Sequence, residues 1–364
     1  MRIRLIAPIA LVVLILLTGS LGAQQSSGGQ TVTVTDALDR RVTLPVNPER
    51  VTAAGRAVLM IADAIYLFPS ARDSLTAVNR IDQGKGNFLR AYDSDYTDKQ
   101  ILQRNAGPEQ IAATRPDVVF LKDFMKGSIG DAVESLGIPV VYVRLETPED
   151  YTRDITMMGR IFGAQDRARE IVDYIDERVS FVTERVSRVP ASERPRGLFV
   201  YYALQGNEAA VNVPPQGWIQ TTLLNQAGAR PVWADQVTGG GWQTVNIEQI
   251  LTWNPETIFV VSYRNDIGDV MDRIREDSRW RSLRAVRNDR LYAFPIDYYS
   301  WDQPDVRWIL GLQWLAQILH PEQFGDFDMT GAVYDFFEVM YGMSRAETRE
   351  IVFSVLEGDI EIEP

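Results

Sequence analysis

The chain has 364 residues, no cysteine, one histidine and a formal net charge of -12. The absence of cysteine excludes disulfides, thiolate metal sites, cysteine nucleophiles and the acylated cysteine of a bacterial lipoprotein. The acidic balance argues against nucleic acid or an anionic membrane surface as a partner.

The first residues predict export from the cytoplasm. Arg2 and Arg4 precede an apolar run from Leu5 to Leu17, and small polar residues follow, so residues 1–23 are predicted to be a secretory signal peptide. The run is shorter than the about 20 apolar residues of a membrane span, although an uncleaved N-terminal anchor stays open. Residues 24–30 are predicted to be a disordered leader. We therefore expect a periplasmic or otherwise extracytoplasmic protein.

The remaining chain alternates between strand and helix patterns and predicts two α/β lobes joined by one long helix. The first lobe is assigned to residues 31–163, beginning with an edge hairpin over Thr31 to Leu44. Residues 164–189 carry one apolar stripe at helical spacing and form the connecting helix. The second lobe takes residues 190–325, and 326–364 form a C-terminal helical extension expected to pack on it. Each lobe is predicted to hold a mainly parallel sheet with flanking helices.

A repeat supports the two similar lobes. Residues 107–121 read GPEQIAATRPDVVFL, and residues 246–260 read NIEQILTWNPETIFV. Both contain Glu-Gln-Ile, then a proline that bars helix continuation, then an acid and an apolar run too short for a helix. Each copy therefore predicts a short helix entering a strand.

These features together resemble one family, the extracytoplasmic solute-binding proteins that deliver ferric siderophores, cobalamin, haem and related metal compounds to ABC importers. The resemblance rests on DALDRRVTLPVNPERV, the two repeat copies, the long middle helix and NDRLYAFP before a terminal helix, and covers residues 31–324. It implies two lobes joined by a rigid helix, a ligand in the cleft between them and limited closure on binding. A membrane permease dimer is the implied partner.

In that family a glutamate on each lobe docks against permease arginines, and the matching positions are Glu109 and Glu248. Two exposed carboxylates on similar helices would fix the orientation of such a contact. The alternative is that both are acids stabilising a helix start, worth about 0.3–1 kcal/mol each.

Ligand contacts are expected in loops beyond the carboxyl ends of the strands, where open α/β sheets bind ligands. Cationic groups from the first lobe and aromatic groups from the second suit a bulky anionic metal chelate. For each aromatic side chain the alternative is lobe core, as expected for Trp308 and Trp314. The candidates are Arg56, Arg90, Tyr92, Lys122, Phe124, Lys126, Tyr202, Trp218, Trp242, Tyr263, Arg264, Tyr299, Ser300 and Trp301.

The leading interpretation is capture of an iron chelate or related metal-organic ligand, without catalysis, resident cofactor or protein-bound metal, by a monomer. A small oxoanion such as molybdate or tungstate, or a metal ion, is the alternative, with the turn at residues 239–241 offering backbone N–H groups. An extracellular hydrolase is an alternative from another class. The chain has no nucleophile elbow, and its only histidine, His320, closes a helix, so a metal-binding histidine pair is excluded. A sensory ectodomain that lost its ligand is a further alternative.

Overall fold

A computed structural model describes residues 30–81, 85–205 and 208–363. The predicted signal peptide and residues 24–29 of the predicted leader lie outside the described residues. Within those ranges, no helix combines the length and apolar character that a membrane crossing requires.

The first lobe is built on a five-stranded parallel sheet in the order β5-β4-β3-β6-β7. A separate antiparallel hairpin, β1 and β2, confirms the predicted edge hairpin. The strands are β1 (Thr31–Thr35), β2 (Arg41–Pro45), β3 (Val51–Ala53), β4 (Leu75–Asn79), β5 (Gln100–Leu102), β6 (Val118–Lys122) and β7 (Val140–Val143). The helices are α1 (Val58–Tyr66), α2 (Pro69–Arg72), α3 (Phe88–Tyr92), α4 (Pro108–Ala112), α5 (Asp131–Ser135) and α6 (Pro148–Ile161).

The connecting helix α7 (Gln165–Val186) is the longest helix described. Its 22 residues span about 33 Å at 1.5 Å per residue. Ile171, Ile175 and Val182 bury one stripe of the helix, as the sequence spacing predicts.

The second lobe contains a six-stranded sheet in which β11-β9-β8-β12-β13 follow in order and β10 pairs with β8. Strands β8, β10, β12 and β13 run parallel, whereas β9 is antiparallel to both β8 and β11. The strands are β8 (Arg196–Gln205), β9 (Glu208–Val213), β10 (Arg230–Pro231), β11 (Gln243–Val245), β12 (Thr257–Val261) and β13 (Leu291–Ala293). The helices are α8 (Ile219–Gln226), α9 (Ile247–Trp253), α10 (Ile267–Glu276), α11 (Arg284–Arg287) and α12 (Trp308–Leu319).

Both repeat copies form the predicted helix followed by a strand, α4 with β6 and α9 with β12. In each copy the residue before the proline has a positive φ, which is 53° for Arg115 and 44° for Asn254. Proline disfavours a right-handed helical conformation in the residue that precedes it. The chain therefore leaves the helix at this point in both lobes and enters a buried strand.

The C-terminal extension contacts both lobes and the connecting helix. The second lobe as assigned ends with α13 (Pro321–Phe324), and the extension contains α14 (Met329–Tyr341) and α15 (Arg345–Glu347). Arg167 of α7 donates to the carbonyls of Val339 and Met340 at 2.7 and 2.8 Å. The hydroxyl of Tyr92, in the first lobe, donates to the carbonyl of Tyr341. The extension also contacts the second lobe, where the Trp314 indole N–H donates to the carbonyl of Asp359 at 3.0 Å, so it joins both lobes and the connecting helix.

One buried cluster, here called the lobe joint, connects all three parts of the chain. It consists of Asp63 from α1, Asp297, Asp305 and Arg307 from the second lobe, and Tyr341 from α14. The Arg307 side chain is fully buried and lies 2.9 Å from Asp297 and 3.2 Å from Asp63. The Tyr341 hydroxyl donates to Asp63 at 2.8 Å. Charge pairing at the joint thus crosses from one lobe to the other.

Candidate ligand site

An open cavity of about 870 Å³ lies at the carboxyl ends of the first-lobe strands. Its lining comes from the segments that follow β3, β4, β5 and β6. This is the edge at which parallel α/β sheets bind ligands.

Three arginines line this cavity, which we call the arginine cavity: Arg56, Arg80 and Arg104. Its described lining contains no carboxylate, although the chain as a whole is strongly acidic. Phe124 also lines it and is 57% exposed, one of the large apolar side chains left open to solvent. The cavity therefore offers guanidinium groups and apolar surface to an anion.

The sequence predicted Arg56 and Phe124 as site residues but missed Arg80 and Arg104. Arg80 follows β4 directly, a position that the strand-end rule covers. The three-residue strand β5, which leads to Arg104, was not recognised. A strand of that length carries too short an alternation to be read from the sequence alone.

Four half-buried aromatic side chains form the second feature, here called the aromatic wall: Tyr201, Trp218, Trp242 and Tyr263. Ring centroids are 4.7 Å apart for Tyr201 and Tyr263 and 5.3 Å apart for Tyr201 and Trp242. Trp218 meets Trp242 edge to face at 5.6 Å. Tyr201 lies in β8 and Tyr263 follows β12, so the wall occupies the carboxyl edge of the second sheet.

Behind the wall, Asp302 is fully buried and accepts three side-chain hydrogen bonds. Tyr263 donates to its Oδ2 at 2.6 Å and Gln220 to the same oxygen at 3.1 Å. The Ser300 hydroxyl donates to Oδ1. Burial raises the pKa of this carboxyl group to about 6, against the lowering effect of these hydrogen bonds.

The two lobes touch beside these features. The Asn87 amide oxygen accepts a hydrogen bond from Tyr299 at 3.2 Å, and the Phe88 ring lies 6.0 Å from that of Tyr298. Lys85 forms ion pairs with Asp266 and Glu357. The first-lobe segment that contains Asn87 and Phe88 therefore contacts the second-lobe loop that leads to Asp302.

Several residues predicted to contact the ligand have their side chains buried inside the fold instead. Lys122 is fully buried and pairs with Glu146 at 3.1 Å. Trp301 is fully buried, with its indole N–H donated to Asp297 at 3.2 Å. Tyr202, Tyr299 and Ser300 are also buried. Tyr92 is half-buried and hydrogen-bonded to the extension, and Lys126 forms an ion pair with Asp131. Arg90 and Arg264 are exposed.

Glu109 and Glu248 are exposed and occupy matching positions in the first turns of α4 and α9. The neighbouring glutamines have a local role, because Gln110 and Gln249 accept hydrogen bonds from the backbone N–H of Gly107 and Asn246 at 3.1 and 3.0 Å. This explains the repeated glutamine as a capping residue. Neither glutamate carboxylate makes a hydrogen bond or ion pair within the described residues.

The described part of the chain contains no group of three or more His, Asp or Glu side chains arranged to hold a metal ion. The site candidates are thus an arginine-lined cavity on the first lobe and an aromatic wall on the second.

The sequence and fold of the chain are similar to those of known solute-binding proteins. A molybdate-binding protein, MolA, of Haemophilus influenzae is 24% identical over 341 residues, covering 85% of this chain and 91% of that protein. Its molybdate-bound structure superposes with a TM-score of 0.68 at 22% identity, covering 86% of this chain and 98% of that one. The Fe(3+) dicitrate-binding periplasmic protein FecB of Escherichia coli is 23% identical over 195 residues, covering 53% of this chain and 60% of that protein.

A model of periplasmic binding proteins matches residues 83–298, which is more than half of the chain. The resemblance predicted from the sequence is confirmed, as is the class of two lobes with flanked sheets. The chain belongs to the periplasmic binding protein family, the extracytoplasmic solute-binding components of ABC importers.

Proposed function

We propose that the protein captures an anionic metal chelate, such as a ferric siderophore or ferric citrate, between its lobes and delivers it to a membrane permease without catalysis. The observation that carries this proposal is the arginine cavity, whose described lining includes the guanidinium groups of Arg56 and Arg104 and no carboxylate. Guanidinium groups bind carboxylate and hydroxamate oxygens through charge-assisted hydrogen bonds.

Size and apolar surface favour a chelate over a bare ion. A cavity of about 870 Å³ lies within the 300–1,000 Å³ range of small-molecule sites. The aromatic wall adds flat surface that a tetrahedral oxoanion would not use. The protein FecB, which is named for binding ferric dicitrate, supports the same class of ligand.

A small oxoanion is the second candidate, and one observation favours it. The protein named for molybdate binding aligns with 85% of this chain, whereas FecB aligns with 53%. The exposed Arg264 and the residues 239–241 turn would be its contacts. The Ser300 hydroxyl is already used by Asp302, so it is not available without rearrangement.

Docking to the permease is assigned to Glu109 and Glu248. Each lies exposed on the helix of its own repeat copy. One carboxylate on each lobe would let a permease dimer engage both lobes of a single monomer.

Titration of tryptophan fluorescence tests the ligand. The mature chain is titrated with ferric citrate, a ferric hydroxamate, cobalamin, haem, molybdate and tungstate. Saturable quenching by a ferric chelate at lower concentration than by either oxoanion is expected, because Trp218 and Trp242 lie in the aromatic wall. A response to molybdate or tungstate alone would replace the chelate with the second candidate, and binding of none of the six would reject the proposal.

A further inference from the structure

We propose that Asp302 is a positioning residue, which holds the aromatic wall in its ligand-binding arrangement through Tyr263 without contacting the ligand. This inference rests on the proposed function, since it assigns to the wall a role in ligand affinity.

The contacts of Asp302 join three separate segments of the second lobe. Tyr263 follows β12, Gln220 belongs to α8, and Ser300 lies in the loop before α12. All three donate hydrogen bonds to the one carboxylate. Removal of the carboxylate would leave buried donors unpaired and would release Tyr263 from the other two segments.

Asp302 has no ion-pair partner among the described residues, which distinguishes it from the acids of the lobe joint. A buried carboxylate without a cation is costly unless hydrogen bonds compensate it. The 2.6 Å hydrogen bond from Tyr263 fixes the hydroxyl end of a side chain that is only partly buried. The carboxylate therefore acts on the one side chain that joins it to the wall.

The position of Tyr263 passes to the rest of the wall by ring contact. Its centroid lies 4.7 Å from that of Tyr201 and 6.1 Å from that of Trp242. Trp242 in turn contacts Trp218. A shift of Tyr263 would therefore change the environment of Trp242, which gives the inference a spectroscopic signal that needs no ligand.

The test uses the mature chain labelled with 5-fluorotryptophan. Eight tryptophans give eight fluorine resonances, and Trp242→Phe and Trp314→Phe each identify one of them. Asp302→Ala and Tyr263→Phe are each expected to shift the Trp242 resonance and to leave that of Trp314 unchanged. In the double variant the two shifts should not add, because both substitutions break the same contact. Asp173→Ala, which removes an exposed acid of α7, is the matched control.

Binding of ferric citrate, and of molybdate in a parallel series, is then measured for each variant. The dissociation constant should rise about tenfold or more in Asp302→Ala, as expected for the loss of a hydrogen bond to a charged group. Asp302→Asn, which keeps the volume and one acceptor, should recover most of the affinity.

An unchanged Trp242 resonance in Asp302→Ala, or additive effects in the double variant, would overturn the inference. If Asp302→Ala does not fold, Tyr263→Phe is measured alone, and an unchanged Trp242 resonance in that variant would overturn the inference in the same way. Wild-type protein that binds neither probe would count against the proposed function alone, because the fluorine resonances still decide whether Asp302 positions the wall.

Discussion

Arg56, Arg80 and Arg104 come from three different strand-end segments, yet they line one cavity. Their convergence follows from the parallel sheet, since the carboxyl ends of β3, β4 and β5 share one edge. Each residue alone looks like an ordinary surface arginine. The site becomes visible only when the strand order is known.

Replacement of Arg56 and Arg104 by glutamine is expected to weaken binding of ferric citrate by at least about tenfold per arginine. A hydrogen bond to a charged group contributes roughly 1.5–3 kcal/mol, and tenfold corresponds to about 1.4 kcal/mol. Arg169→Gln, on the exposed face of α7, is the control and should bind as the wild type does. Fluorescence titration measures the effect, and wild-type affinity in the Arg56 and Arg104 variant would exclude the arginine cavity as the anion site.

The raised pKa of the Asp302 carboxyl group predicts that the stability of the protein depends on pH. Burial raises the pKa of its carboxyl group from 3.8 to about 6 in the folded state. The folded state therefore holds the proton more tightly than the unfolded state between about pH 4 and 6, and the contribution of Asp302 to stability falls as pH rises through this window. The difference corresponds to about 3 kcal/mol, at about 1.4 kcal/mol for each pKa unit.

Asp302→Asn removes this titration. The unfolding free energy of the Asn variant relative to wild type should therefore increase by about 3 kcal/mol between pH 4 and pH 7, as measured by urea denaturation. Asp173→Asn serves as the exposed control. A difference that stays constant with pH would contradict the prediction.

At the scale of elements, the repeat was the most informative part of the sequence. Its proline and its Glu-Gln pair predicted both helix–strand units, because these signals act locally on the backbone. The antiparallel strand β9 was missed. It reads EAAVNV, in which alanine and glutamate disfavour strands, and its pairing with β8 and β11 decides its conformation.

The same limit explains the predicted site residues that lie inside the fold. Lys122 ends a strand, where a cation could face a ligand, but Glu146 and the carbonyl of Arg144 bind its ammonium group. Trp301 occupies a loop, but Asp297 accepts its N–H. Both partners are set by tertiary packing, which sequence spacing does not encode.

Charge reversal of the exposed acids Glu109 and Glu248 is expected to impair transport without affecting ligand binding. Glu109→Arg combined with Glu248→Arg should abolish stimulation of ATP hydrolysis by the reconstituted permease and leave ligand affinity unchanged. Both carboxylates are exposed, so the variant should still fold. The control is Glu177→Arg with Glu184→Arg, on exposed positions of α7. Normal stimulation by the first variant would refute docking through these residues.

At the scale of the whole molecule, the two lobes share one large core. A cluster of buried apolar side chains runs from Val51 in the first lobe through Leu198 in the second to Phe337 in the extension, and a smaller cluster around Ile111 and Val119 belongs to the first lobe alone. The lobe joint adds a fully buried arginine among three aspartates. Closure on a ligand is therefore expected to be small, since wide opening would expose this cluster.

Tyr341→Phe tests the extension as a connection between the lobes. Loss of the 2.8 Å bond to Asp63 should lower the unfolding free energy by roughly 1.5–3 kcal/mol, as for a buried hydrogen bond to a charged group. Tyr334→Phe removes a hydroxyl from the same helix whose 3.5 Å contact with Arg349 is long, and it should cost much less. Thermal unfolding of both variants measures the difference, and equal stabilities would show that the Asp63 contact is unimportant.

The bond between Tyr341 and Asp63 also sets an order of events in folding. The two residues are separated by 278 positions in the chain. While the protein is being synthesised, the first lobe can complete its sheet, but Asp63 has neither Arg307 nor Tyr341 as a partner. The Asp63 carboxylate must therefore stay hydrated until Arg307 and Tyr341 have been synthesised. The lobe joint is expected to form only after α14 is available, and the nascent first lobe should remain open to proteases and chaperones at this surface until then.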